Sequence, residues 1–151
     1  MMEDVRDRCI ILRYLYLIAG SIMLYHAAKN MIFLVFYYTQ PNIGTMDGVI
    51  VTYVIDINSM WVGFLFQMVG GLLLIYAFLK FGANKTFRYT GFFGDLVLVG
   101  IFVYQLYLII NGSFPGSHHP LYVREVGGGL LLGSMGVIFL PFHFYCTRRL
   151  S

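Results

Sequence analysis

Four apolar runs, each long enough to cross a bilayer, decide what this chain can fold into. They are "CIILRYLYLIAGSIMLYHAAKNMIFLVFYY" at 9–38, "WVGFLFQMVGGLLLIYAFLK" at 61–80, "GFFGDLVLVGIFVYQLYLII" at 91–110 and "VGGGLLLGSMGVIFLPFHFYC" at 126–146. About 20 apolar residues in a helix cover the roughly 30 Å of hydrocarbon in a membrane. A helix in lipid also satisfies its own backbone groups, which an open strand cannot do. The expected fold is therefore all-α, a single domain over 1–151 built as an integral membrane bundle of four transmembrane helices. Composition points the same way. The chain is 59% hydrophobic and 11% charged, with a mean hydropathy of +0.76, where an ordinary soluble domain is about 25% charged. A soluble fold of this size has too much surface to hide so many apolar side chains.

Lysine and arginine set the expected orientation. Arg6, Arg8 and Arg13 precede or open the first run, Lys80, Lys85 and Arg88 lie between the second and third, and Arg148 and Arg149 close the chain. The 39–60 connection has Asp47 and Asp56 but no Lys or Arg, and the 111–125 connection has Arg124 next to Glu125. Both termini are thus expected on the positive side, cytosol or mitochondrial matrix. Tyr14, Tyr16, Tyr76, Tyr89 and Tyr145 read as an aromatic belt near that side, and Tyr37, Tyr38, Trp61 and Tyr122 as the opposite belt. The opening "MMEDVRDR" lacks the charge of a signal peptide, so the first run is expected to stay. "FGANKTFRYT" and "NGSFPGSHHPLYVRE" read as connections, and "VIVTYVIDI" before the second run as an extension of its helix. The net charge of +3 sits at segment ends. It describes orientation and gives no reason to expect a nucleic-acid partner.

Polar residues inside the runs are the candidate site. At 1.5 Å per residue from the positive side, His26 lies about 24 Å deep, Gln67 roughly 20 Å and Gln105 about 21 Å. Three helices thus place one polar layer at similar depth, with His26 expected to meet Gln67 or Gln105. Lys29, about 28 Å deep, is expected to snorkel to the far interface. A second layer, Arg13, Asp95 and His143, falls near the positive face, where an Asp–His or Asp–Arg contact would relieve an unpaired carboxylate in lipid. Interhelical hydrogen bonding is the bland reading of both layers, and a proton path or ligand site the functional one.

Other chemistry is not indicated. His26 and His143 differ by roughly 20 Å in depth, which excludes two axial ligands on one haem. No Cys/His group has zinc spacing, so no metal and no cofactor are expected. Cys9 and Cys146, both at membrane edges, are expected to be inert thiols, with palmitoylation as the alternative. No disulfide-linked partner is expected. The sequons at Asn84 and Asn111 are expected to be unmodified, the first on the positive side and the second against the membrane, and "RRLS" reads as a positive anchor. Gly129, Gly133 and Gly136 form a small-residue face suited to close helix packing, within the bundle or onto a neighbour, and Pro141 is expected to kink its helix.

Claudin-type tetraspans carry a Trp and two cysteines in their first outer loop, whereas here Trp61 stands alone and both cysteines lie toward the other face. The spacing of Arg13, Gly20, His26 and Lys29, followed by "QMVGGLLLIY", loosely resembles DoxX-type four-helix membrane proteins in residue types that are widespread in membrane helices. No nucleophile–base pair or phosphate loop is present, so no enzyme is expected. The expected role is a non-catalytic accessory subunit of a larger membrane complex, with the lipid bilayer and other transmembrane subunits as partners. A respiratory-chain or ATP synthase assembly in the mitochondrial inner membrane fits the short loops and the lack of cysteines on the negative side, with the plasma membrane or an endomembrane as the alternative locations. The alternative is a small tetraspan carrier, chaperone or proton-coupled transporter that uses the intramembrane polar residues; a third reading is a membrane-bound enzyme acting on lipids, with His118 and His119 at the interface.

Overall fold

The computed structural model of the chain describes residues 2–39, 57–82, 85–110 and 120–150. Four helices account for them: α1 (Met2–Thr39), α2 (Ile57–Leu79), α3 (Lys85–Ile110) and α4 (Pro120–Leu150). Each contains a stretch long and apolar enough to cross a membrane: Cys9–Ile32, Trp61–Leu79, Lys85–Tyr107 and Gly127–Arg149. The expected four-helix membrane bundle is the fold. Neighbours in sequence pack side by side, and α1 also meets α4 along the thinnest seam of the ring.

The helix ends differ from expectation where amphipathic pieces flank the apolar runs. The "KTFRYT" segment, expected as connection, opens α3. Its pattern explains this. Phe87 is buried while Lys85, Thr86, Arg88 and Tyr89 are exposed, so one turn of helix buries its single large apolar residue. The turn before it depends on Gly82, whose φ of 146° lies where a side chain is strained. Proline at the first position of α4 has no N–H to lose there, and the helix runs on through Pro141 to Leu150. α2 starts at Ile57, four residues before Trp61; residues 49–56 of the "VIVTYVIDI" run, with Asp47, lie outside the described residues, as do His118, His119 and the Asn84 and Asn111 sequons.

The core is easiest to follow along α1. Cys9, Leu12, Tyr16, Ala19, Met23, Ala27 and Leu34 are all buried, spaced at three, four or seven residues as in a coiled-coil seam. Ile11, Tyr14, Ile18, Tyr25 and Ile32 face outward. Leu74 and Ala77 of α2, Phe87 and Leu98 of α3, and Leu132, Phe139 and Cys146 of α4 complete the interior. Lipid is as apolar as these side chains, so association depends on close packing more than on a hydrophobic drive. Glycines allow the closeness. A Cβ at Gly133 would sit 2.6 Å from the Phe102 backbone nitrogen, and one at Gly136 would sit 2.5 Å from Leu98 Cβ. One at Gly129 would lie 2.8 Å from the Gln105 amide nitrogen. The glycine face of α4 is therefore turned to α3 inside the bundle.

Two expectations need correction. Cys9 and Cys146 are not thiols; they form a disulfide across α1 and α4, with Cα atoms 5.6 Å apart and 137 residues between them in sequence. Both cysteines lie on the inward seam at the same end of an antiparallel ring, and the helices bring them within bonding reach. The start of α1 and the end of α4 thus share one end of the molecule. Tyr16, expected in the interfacial belt, has 0% exposure and belongs to the core. Its place on the seam, seven residues from Cys9 and seven from Met23, puts it there.

Candidate functional site: a buried tyrosine between an acid and an imidazole

Just inside the disulfide, three helices contribute one polar side chain each to a cluster among the apolar residues of the core. Tyr16 comes from the seam of α1, Asp95 from the inward face of α3, and His143 from α4, one turn before Cys146. All three are buried. The Tyr16 hydroxyl lies 2.8 Å from Asp95 Oδ2, as donor, and 2.8 Å from His143 Nδ1. The far ring nitrogen of His143, Nε2, lies 3.0 Å from the backbone carbonyl of Arg88.

The surroundings fix the two rings. Tyr16 meets Phe139 edge-on at 5.8 Å between centroids, and Phe87 lies 5.2 Å from the His143 ring. Gly91 leaves the space that the imidazole occupies: a Cβ there would be 2.6 Å from His143 Cε1. The extra turn at the start of α3 matters here, because it supplies both Phe87 and the Arg88 carbonyl. One acceptor is left over. Asp95 Oδ1 is buried and has no hydrogen-bond partner among the described residues.

Asp95 and His143 of the expected positive-side layer are thus joined, through a tyrosine that was not among its members. Arg13 turns instead toward α2. Its Nε donates to the Phe78 carbonyl at 3.2 Å, and its guanidinium stands 4.8 Å from the Phe78 ring centroid.

In the deeper layer, Gln67 Oε1 accepts a hydrogen bond from Asn30 Nδ2 at 3.0 Å. Asn30 lies one turn beyond His26 on the same helix, and that four-residue spacing, which puts both side chains on one face at neighbouring depth, is the signal that would have found it. The His26 ring packs edge-on to Tyr25 at 5.6 Å, and Lys29 is half-buried. Gln105 lies over Gly129, with its Oε1 buried and lacking a hydrogen-bond partner among the described residues. Among the described residues no group of three His, Cys, Asp or Glu side chains is placed to hold a metal ion.

No family model, curated protein or solved structure matches the chain. Function has to be argued from the geometry itself. A hydroxyl held between a carboxyl and an imidazole can pass a proton from one to the other. It can equally lock three helices together, because each group removes a buried orphan from its neighbour. The cluster approaches the surface on one side: His143 lies beneath an open groove between α3 and α4 that Arg88, Phe92 and Arg148 also line.

Proposed function

We propose that this chain is a non-catalytic accessory subunit of a larger membrane protein complex, in the mitochondrial inner membrane. One observation carries the reading. Inward polar groups from different helices bond to one another, while the outer faces of all four helices carry large apolar and aromatic side chains. Tyr25 of α1, Trp61 of α2, Tyr104 and Tyr107 of α3, and Phe144 of α4 are exposed among aliphatic neighbours. Aromatic faces of this kind suit contact with other transmembrane helices as well as lipid. Gly129, Gly133 and Gly136 of α4 and the cysteines do not contribute, because they are used inside the bundle. A matrix-facing disulfide survives in this reading because both cysteines have 0% exposure, which shields their sulfurs from soluble thiols. The test is purification from membranes in mild detergent. Co-migration with a larger complex supports the proposal, and recovery solely as a free 17.3 kDa chain contradicts it.

A second reading, a proton-coupled tetraspan carrier, is favoured by the Tyr16–Asp95–His143 cluster. Intramembrane ionisable groups mark proton and substrate paths more often than chance. If Asp95→Asn and His26→Leu both leave folded protein with unchanged transport or partner maturation, that reading falls.

A further inference from the structure

We infer that Tyr16, Asp95 and His143 together form a binding site for one shared proton, carried by either the Asp95 carboxyl or the His143 ring and exchanged through the Tyr16 hydroxyl. The inference stands apart from the accessory-subunit reading. It follows from counting hydrogens. The Arg88 carbonyl can only accept, so the His143 Nε2 that lies 3.0 Å from it carries a hydrogen. Asp95 Oδ2 and His143 Nδ1 each lie 2.8 Å from the same hydroxyl oxygen. Those two bonds need two hydrogens, and the tyrosine supplies one.

Three cases exhaust the possibilities. With no added proton, the hydroxyl serves one neighbour, and at the other contact two lone pairs face each other inside the core. With two added protons the triad carries a net positive charge inside the core; with the acid proton on Oδ2 the tyrosine hydrogen finds no acceptor among the three groups, and with it on Oδ1 that buried O–H is itself left without a partner among the described residues. With one added proton every bond is made. Placed on Nδ1, the chain of donation runs from His143 to Tyr16 to Asp95. Placed on Asp95 Oδ2, it runs from Asp95 to Tyr16 to His143.

The two arrangements interconvert without loss or gain of atoms. The Oδ2–H bond breaks as the tyrosine oxygen takes that proton, while the tyrosine gives its own to Nδ1. In both forms the triad is neutral overall, as an acid beside an imidazole or as a carboxylate beside an imidazolium. Neutrality suits a site in hydrocarbon, where an isolated charge is expensive. Cationic groups stand on the neighbouring turns, and Arg88 acts on His143 through its charge as well as through its carbonyl. Arg13 of α1 is over the Phe78 ring, and Lys80, just past the end of α2, is 5.9 Å from the Tyr76 ring centroid. Arg88 of α3 and Arg148 of α4 line the groove outside His143.

The experiment is spectroscopic, on the full chain in lipid nanodiscs. Infrared difference spectra against Asp95→Asn give the protonated fraction of Asp95, and nitrogen-15 chemical shifts of His143 give its imidazolium fraction. The two fractions are expected to sum to one throughout the neutral pH range. A sum near zero or near two overturns the inference. In Tyr16→Phe the link is cut, so the sum is expected to drift from one as pH changes; a sum still fixed at one there removes Tyr16 from the site. In Asp95→Asn the amide donates to Tyr16 and Tyr16 to Nδ1. His143 is then expected to be neutral with its hydrogen on Nε2, and an imidazolium in that variant also overturns the inference.

Discussion

The Tyr16 hydroxyl and His143 Nδ1 are 2.8 Å apart although 127 residues separate them in sequence. This contact ties the first helix to the last. One turn nearer the end of α4, the Cys9–Cys146 disulfide ties the same two helices again. The α1–α4 seam, the thinnest in the ring, is thus held by a covalent bond and a polar contact stacked along it.

Removing the hydroxyl tests what the polar contact contributes. Tyr16→Phe leaves Asp95 and His143 buried without their shared partner, a loss expected to cost about 1–3 kcal/mol. The check is the midpoint of unfolding in mixed micelles, compared with Tyr14→Phe on the exposed face, which is expected to change little. Equal midpoints for the two variants would show that the buried hydroxyl does not hold the seam.

Asp95→Asn is expected to be far milder than Asp95→Leu. The amide can donate to Tyr16 in place of a protonated carboxyl, while leucine leaves the Tyr16 oxygen without that donor and keeps only the Tyr16–His143 bond. The same unfolding midpoint reads the difference, expected at about 1–3 kcal/mol between the two variants. Leucine tolerated as well as asparagine would contradict the hydrogen-bonded role of the side chain.

Glycine position decides the outcome of an added methyl group. Gly133→Ala drives a Cβ to 2.6 Å from the Phe102 backbone nitrogen and must push α3 and α4 apart, a cost of about 1–3 kcal/mol. Gly100→Ala meets nothing within 4 Å and gains up to about 1 kcal/mol of helix propensity. A matched pair of thermal or denaturant midpoints in detergent tests this. Similar shifts in both variants would contradict the close α3–α4 approach.

The paired Cys9→Ser, Cys146→Ser variant is expected to fold yet unfold more readily. In soluble proteins a disulfide contributes about 2–4 kcal/mol by restricting the unfolded chain. Here the shift should fall at or below the lower end, because helices that remain inserted have less freedom to lose. Steric-trap or micellar unfolding compared with the unreduced protein gives the number. No shift at all would mean the bond adds nothing to the seam.

The number and type of elements were readable because twenty apolar residues in lipid leave helix as the economical solution. The faces were not. In water an inward stripe is marked by its hydrophobicity, but in a membrane Ile11 facing lipid and Leu12 facing the core are equally apolar. Tyr16 was therefore read as an interfacial tyrosine, when its spacing from Cys9, Ala19 and Met23 places it inward. The same gap hid the disulfide: the topology put both cysteines at one end, but hydropathy could not show that they shared a seam. Asp95 and His143 stood out because charge and imidazole are rare in lipid at any position. The start of α3 was missed because its six residues are too polar for a hydropathy window, although Phe87 alone supplies a face to bury.

The most direct test of the closed ring is to map the cysteines in protein alkylated within its native membrane before solubilisation. Peptide mass spectrometry without reductant is expected to recover Cys9 and Cys146 in one linked species from a single chain, with neither cysteine alkylated. Both cysteines alkylated, or linked between two chains, would separate α1 from α4 and remove the support on which the buried Tyr16 site stands.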